Sequence, residues 1–332
     1  MAANRGGKDS LRVARRFGAE HLQKQLAAFG EQLPRVEEGD DPEAIHQLRV
    51  ASRRLRTNLR VFQVAYPPKR SRGWRRALAR TAGALGETRD CDVQIIVLQE
   101  FLRSLEDARL RPGAQRLLWR WQQRRAGLQK GVLSSLKDLR KSQVLKEMES
   151  YARPFSTDEP QPDESEALRP FAAAAVSQRL ETFQTLAPAV FREDAAEELH
   201  ALRIAAKHLR YALEIFSSLY EPWAKDVIQT LRTVQDALGE IHDCDVWEQE
   251  LAAFVHTEER RSREYYGHGH AMELLLPGVD AFRADRRSRR HEIYADLLSH
   301  WVQWEAAGLW GEVAGRLTGL ENEPVEEPGT LS

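Results

Sequence analysis

The side chains of this sequence that could do chemistry are cations at helical spacing, a pattern suited to holding anions. The run from His46 to Phe62, HQLRVASRRLRTNLRVF, contains five arginines, one histidine and no acidic residue. At about 100° per residue, His46, Arg49, Arg53, Arg56 and Arg60 form one stripe, with Leu48, Ala51, Leu55, Leu59 and Phe62 opposite. Like charges three and four residues apart destabilise a helix by roughly 0.2–0.5 kcal/mol per pair. A solvated face would intersperse Glu. This stripe instead calls for a polyanion, or for carboxylates from elsewhere in the fold. Arginine stays charged and forks onto phosphate oxygens, and each stripe histidine is read as a pocket-lining donor. Arg54 projects off the stripe and is a flank residue.

The run returns as His200 to Phe216, HALRIAAKHLRYALEIF. His200, Arg203, Lys207 and Arg210 make a second stripe opposite Leu202, Leu209, Leu213 and Phe216, with His208 on its flank. A second signature also recurs, LGETRDCDV from Leu85 and LGEIHDCDV from Leu238. A tandem repeat of about 150 residues therefore governs the chain. Arg89 and His242 occupy equivalent places in the second signature and add to the candidate anion site. Arg12 and Arg16, on a basic first helix, join them.

The Asp-Cys-Asp triplets invite a metal reading through carboxylate, thiolate and His242. The preferred reading is structural. Asp90, Asp92, Asp243 and Asp245 are expected at helix starts, capping free N–H groups, or holding arginines of the basic helices in place. No metal, cofactor or catalytic residue is assigned. Cys91 and Cys244, the two cysteines, are read as small buried residues in a reducing compartment.

These motifs must be positioned by helices. Asp41-Pro42-Glu43 is a helix start, and Tyr66-Pro67-Pro68 a stop. Further helices are expected over Ser10–Gln32, from Lys69 to a terminator at Gly86, from Val93 to Leu102, and from Pro112 to Tyr151, with Leu117, Leu118, Trp121, Leu128, Leu133 and Leu136 buried. Breaks are expected near Tyr266-Gly267-His268-Gly269 and Pro277-Gly278. No strand pattern appears. The expected fold is all-α, two antiparallel four-helix bundles with pseudo-twofold symmetry: repeat one over 8–152, a Pro- and acid-rich linker over 153–165, repeat two over 166–318, and a disordered tail over 319–332. Of 332 residues, 42% are hydrophobic, enough for a sizeable core, and the net charge of -1 means that any anion site arises from local segregation. No stretch approaches the roughly 20 apolar residues of a membrane span, and the first residues lack a secretory pattern. A soluble, cytoplasmic protein is expected.

The paired motifs, DPEAIHQLRVASRRLR with LGETRDCDV and ELHALRIAAKHLRYALEIF with LGEIHDCDV, resemble the CHAD family, the conserved histidine α-helical domain. The resemblance covers about residues 8–318. It implies a helical domain of two bundle halves with a basic central channel that binds inorganic polyphosphate. Members are often fused to a triphosphate tunnel domain carrying ExExK on a strand. Neither motif nor strand appears here, so a stand-alone CHAD protein is expected.

The functional expectation is non-catalytic binding of inorganic polyphosphate between the stripes of both repeats, in the cytoplasm or at polyphosphate granules. The alternatives are a nucleic-acid-binding helical module, against which the near-neutral charge and the lack of interleaved aromatics argue, and a metal-dependent polyphosphate or triphosphate hydrolase using the Asp-Cys-Asp carboxylates.

Overall fold

The computed structural model describes residues 2–39, 41–156 and 164–319. Among them the chain forms ten α-helices and no strand, the all-α class read from the periodicity. They are α1 (Ala2–Glu38), α2 (Pro42–Val61), α3 (Pro68–Ser104), α4 (Arg111–Lys141), α5 (Val144–Ala152), α6 (Glu164–Leu186), α7 (Ala196–Ile215), α8 (Trp223–Tyr266), α9 (Ala271–Ala306) and α10 (Leu309–Thr318). The expected tail lies, beyond Gly319, outside the described residues, as does 157–163 of the expected linker. The chain divides into two compact units, Met1–Glu164 with Val246–Ser288, and Ser165–Asp245 with Arg289–Ser332.

In the first unit α1 packs on α2, α2 on α3, α3 on α4, and α1 on α5. The α2 start is as the residues dictate: Asp41 Oδ1 accepts from the Glu43 N–H at 2.9 Å, and Pro42 occupies the first turn, where its missing N–H costs nothing. Ile45, Leu48, Leu55 and Leu59 are fully buried, each contributing about 1.5–3 kcal/mol. The helix stops at Val61, just short of the prolines. Gly18 of α1 faces Phe62, whose Cγ would lie 2.7 Å from an added Cβ, so α1 can approach only without a side chain there. The Gly18 carbonyl then accepts from Asn58 Nδ2 at 3.0 Å and from the Tyr66 hydroxyl at 2.8 Å. These bonds satisfy polar groups that burial would otherwise strand. A second cluster packs Leu98, Phe101, Leu117, Trp121, Trp247 and Phe282.

The second unit buries Leu199, Leu202, Leu209, Leu213 and Phe216 of its basic helix. Phe183 packs on Trp301 and Trp310 at ring separations of 5.8 and 4.7 Å. Unlike α2, α7 has no side-chain cap at its start.

Several expected boundaries are corrected. The first helix is longer than Ser10–Gln32 and runs through Pro34. The third does not end at Gly86: α3 continues to Ser104, and α8 likewise passes through Gly239. Glycine lowers helix propensity by only about 1 kcal/mol, which packing overrides. Pro277-Gly278 does not break α9 either. There the α4 and α9 backbones touch: an added Cβ at Gly278 would sit 2.0 Å from the Leu110 carbonyl, and one at Gly113 2.0 Å from that of Leu275. This glycine-on-glycine contact lets the two backbones pack closely beside the proline. The stretch from Pro112 to Tyr151 splits at Gln143, whose φ of 57° is left-handed. Leu133 is exposed rather than buried. The break after Tyr266 is present, with Gly267 at φ +77°.

Candidate functional site

On α2 the expected stripe turns away from the core: Arg56 and Arg60 are exposed, and His46, Arg49 and Arg53 half-buried. The partner element is the middle of α3. Arg49 lies over that helix, its Nε 4.0 Å from where a Cβ on Gly86 would stand, and Arg49 Nη2 is 3.5 Å from Asp90 Oδ1. A larger residue at Gly86 would compete with the guanidinium for space. Arg89, on the same stretch of α3, is the strongest charge acting on His46. Burial, then Arg89, then Arg49 and Arg53 hold that imidazole below its ordinary pKa, and Glu43 opposes them.

The second unit builds the same device. Arg203 of α7 lies over Gly239 of α8, with Nε 3.4 Å and Nη2 3.7 Å from an added Cβ. His242 takes the place of Arg89, and its ring lies 4.0 Å from that of His200. Burial, His200 and Arg203 drive His242 down to about 4 against the pull of Asp245. Burial, Arg203 and Lys207 lower His200. All three imidazoles are therefore pushed toward the neutral form. Among the described residues, Nδ1 of both His46 and His200, and Nε of Arg203 and Arg210, are buried without a hydrogen-bond partner. Arg210 sits apart from His242, 3.5 Å from Glu214 and over the Tyr211 ring. The structure thus assembles His46, Arg49, Arg53 and Arg89 on one face, and His200, Arg203, Lys207 and His242 on another.

The acidic residues are corrected. Asp90 and Asp92 lie inside α3, and Asp243 and Asp245 inside α8, so none caps a helix start, because both helices continue through the signature. Asp90 does hold an arginine of the stripe. Asp92 instead accepts from Arg125 Nε of α4 at 2.5 Å, in a pair whose side chains are under a tenth exposed, and Asp245 from Arg290 Nε of α9 at 2.6 Å. They tie neighbouring helices together. Among the described residues no three His, Cys, Asp or Glu side chains group closely enough to hold a metal ion. Cys91 and Cys244 are buried free thiols, and burial pushes Cys91 up to about 11.

Arg16 is also reassigned. It is buried and ion-paired to Glu20 at 3.0 Å and Glu164 at 2.8 Å, so its charge is already matched. Arg12 is exposed on α1. The flank residue Arg54 acts on His21, beside Lys24 of α1, rather than on the stripe. Reading the sequence missed the function of Gly86 and Gly239 as places where a guanidinium lies on a helix backbone. Their repetition next to repeated arginines was the available signal.

Known proteins share this architecture. The crystal structure of the CHAD domain from the plant Ricinus communis is similar at 23% identity and a TM-score of 0.62, over 86% of this chain and 91% of that one. PptA from Streptomyces chartreusis is similar at 20% identity and a TM-score of 0.55, over 86% of this chain and 98% of that one. At such identities the likeness speaks for the fold. No curated protein matches by sequence. The CHAD domain model matches residues 20–252, a span holding both histidine–arginine helices and both glycine-bearing signatures that receive them. The chain belongs to the CHAD domain family.

Proposed function

We propose that this protein binds inorganic polyphosphate without catalysis, on the α2–α3 face of one unit and the α7–α8 face of the other. One observation carries the reading. Twice, a stripe histidine and a glycine-seated arginine meet a basic residue from the next helix, and burial, then the crowding of cations, lowers the imidazole pKa values. Such an arrangement is destabilising alone and relieved by an anion. Phosphate oxygens accept from Arg49 and Arg203 forks, from Lys207, and from histidine N–H groups. A linear chain of phosphates offers many such oxygens and no base, matching faces whose contacts are cationic rather than aromatic. A hydrolytic reading is weaker, because Asp92 and Asp245 point their charge at Arg125 and Arg290. On this reading the cellular partner is polyphosphate, in the cytoplasm or on polyphosphate granules.

Calorimetric titration with polyphosphates of defined length tests the proposal. Binding should be abolished in the variant Arg49→Ala, Arg53→Ala, Arg203→Ala, Lys207→Ala. Unchanged affinity in that variant refutes it, as does release of phosphate by the wild-type protein with Mg²⁺ or Mn²⁺.

A further inference from the structure

Where α2 ends and α3 begins, the first unit has a cleft of about 580 Å³ whose lining includes none of the residues proposed above for polyphosphate. Arg15 of α1 and Arg72 and Arg75 of α3 line it, and no carboxylate does among the described residues. Arg15 is held by its Nε–H, which donates to the Ala65 carbonyl at 2.9 Å, and Arg75 Nη1 donates to Gln63 Oε1 at 3.4 Å. Neither these nor Arg72 makes an ion pair among the described residues. The charges are felt nearby: Arg75 helps depress the Arg60 guanidinium. The opposite wall is aromatic. Tyr66 and Tyr151 stand edge to face at 5.7 Å, and Phe155 lies 5.6 Å beyond Tyr151.

The second unit supplies an internal control. Arg169 and Tyr220 stand in repeat two where Arg15 and Tyr66 stand in repeat one, and they line a cleft of about 420 Å³. There the neighbouring cations have partners: Lys225 lies 3.3 Å from Glu221, and Arg316 pairs with Glu312. The same corner of the fold therefore forms with two of its nearby cations paired to carboxylates, while Arg169 makes no ion pair among the described residues. Among the described residues the first unit carries more unmatched arginine at this corner, and like charges so placed repel.

We propose that this cleft binds a nucleoside polyphosphate, with phosphates on Arg15, Arg72 and Arg75 and the base against Tyr151 and Phe155. Arginine forks match phosphate oxygens, and sequence-tolerant stacking on aromatic side chains suits any base. The volume falls within the usual range for small-ligand sites, about 300–1,000 Å³. The α3 start has no side-chain cap and no acidic residue in its first turn, which adds positive potential for phosphates. Inorganic polyphosphate has no apolar portion to cover the rings, so the aromatic wall distinguishes this site from the stripes.

The test is calorimetry on the full chain, without Mg²⁺, with ATP, tripolyphosphate, adenosine and a short single-stranded RNA as probes. Expected is one ATP site that prefers ATP over tripolyphosphate and adenosine. Arg72→Ala with Arg75→Ala should weaken ATP by at least roughly tenfold, with an unchanged far-ultraviolet dichroism spectrum. Phe155→Ala should weaken ATP severalfold and leave tripolyphosphate unaffected. Arg49→Ala with Arg53→Ala should leave the Phe155-dependent part of ATP binding intact, which keeps this result independent of the polyphosphate proposal. Absence of ATP binding at about 1 mM overturns the proposal. So does tripolyphosphate equal to ATP with Phe155→Ala silent, since that is a plain anion patch. RNA binding tighter than ATP and lost in the arginine variant overturns it in favour of a nucleic-acid surface.

Discussion

Replacing Gly239 separates the roles of stability and binding. In a helix interior glycine costs about 0.5–1 kcal/mol relative to alanine, through backbone freedom in the unfolded chain. The nearest atom to a Cβ at Gly239 is Arg203 Nε at 3.4 Å, an ordinary van der Waals contact, so Gly239→Ala is accommodated. It should raise the melting temperature by a few degrees, about 2–4 °C per kcal/mol for a domain of this order of size, and leave polyphosphate affinity nearly unchanged. Gly239→Leu has a similar propensity gain, but its branched end must occupy the volume of the guanidinium, whose Nη2 and Cζ lie 3.7 and 4.0 Å from the Cβ. Displacing Arg203 forfeits a charge-assisted hydrogen bond worth about 1.5–3 kcal/mol, or roughly 10- to 150-fold in Kd. The same change at Gly86 should act more weakly, because Arg49 lies further off, at 4.0 Å. Melting curves and calorimetry on the four variants give the answer. If Gly239→Leu binds as wild type while Arg203→Ala does not, the glycine is not what positions the arginine.

Other outcomes follow from the same geometry. Polyphosphate affinity should fall steeply with salt, with a log–log slope of at least about −3 if four cations displace counterions at roughly 0.7 each; a slope near zero refutes the electrostatic account. Arg49→Ala with Arg53→Ala should weaken polyphosphate binding far more than Arg54→Ala, since Arg54 faces His21 and Lys24; equal losses would overturn the stripe assignment. Affinity should rise as pH falls below about 7: the free-state pKa values of His46, His200 and His242 are lowered, a bound anion raises them, and binding takes up protons across that window. The unliganded fold shows the opposite sign. It keeps these histidines neutral, so their contribution is full above the unfolded pKa of 6.5 and declines as pH falls below it, which acid titration of thermal stability would reveal. Asp92→Ala should cost about 3–5 kcal/mol by leaving Arg125 buried opposite an empty site, whereas removing Asp138 from its exposed pair with Arg80 should cost under about 1 kcal/mol; similar losses in denaturant titrations would contradict the assigned burial.

The α2 and α7 helices, their apolar faces and their cationic stripes were legible in the residues, because helical periodicity is local and fixes which side chains share a face. The α2 cap was legible for the same reason, since Asp41, Pro42 and Glu43 act within one turn. The LGE–DCDV signatures were not. Read alone, a glycine followed by aspartates looks like a helix end and a new start. In the fold those positions are helix interior, and what decides them comes from far along the chain: Arg49 over Gly86, Arg125 on Asp92, Arg290 on Asp245. Likewise Pro277-Gly278 is helical in the fold, with Gly113 of a distant helix packed against it. Arg15, Arg72 and Arg75 do not stand out in a chain rich in arginine, because only tertiary packing decides which arginines receive a carboxylate and which are left facing a cleft. Charge at a site is set by distance in space, and sequence spacing reports that distance only within a helix.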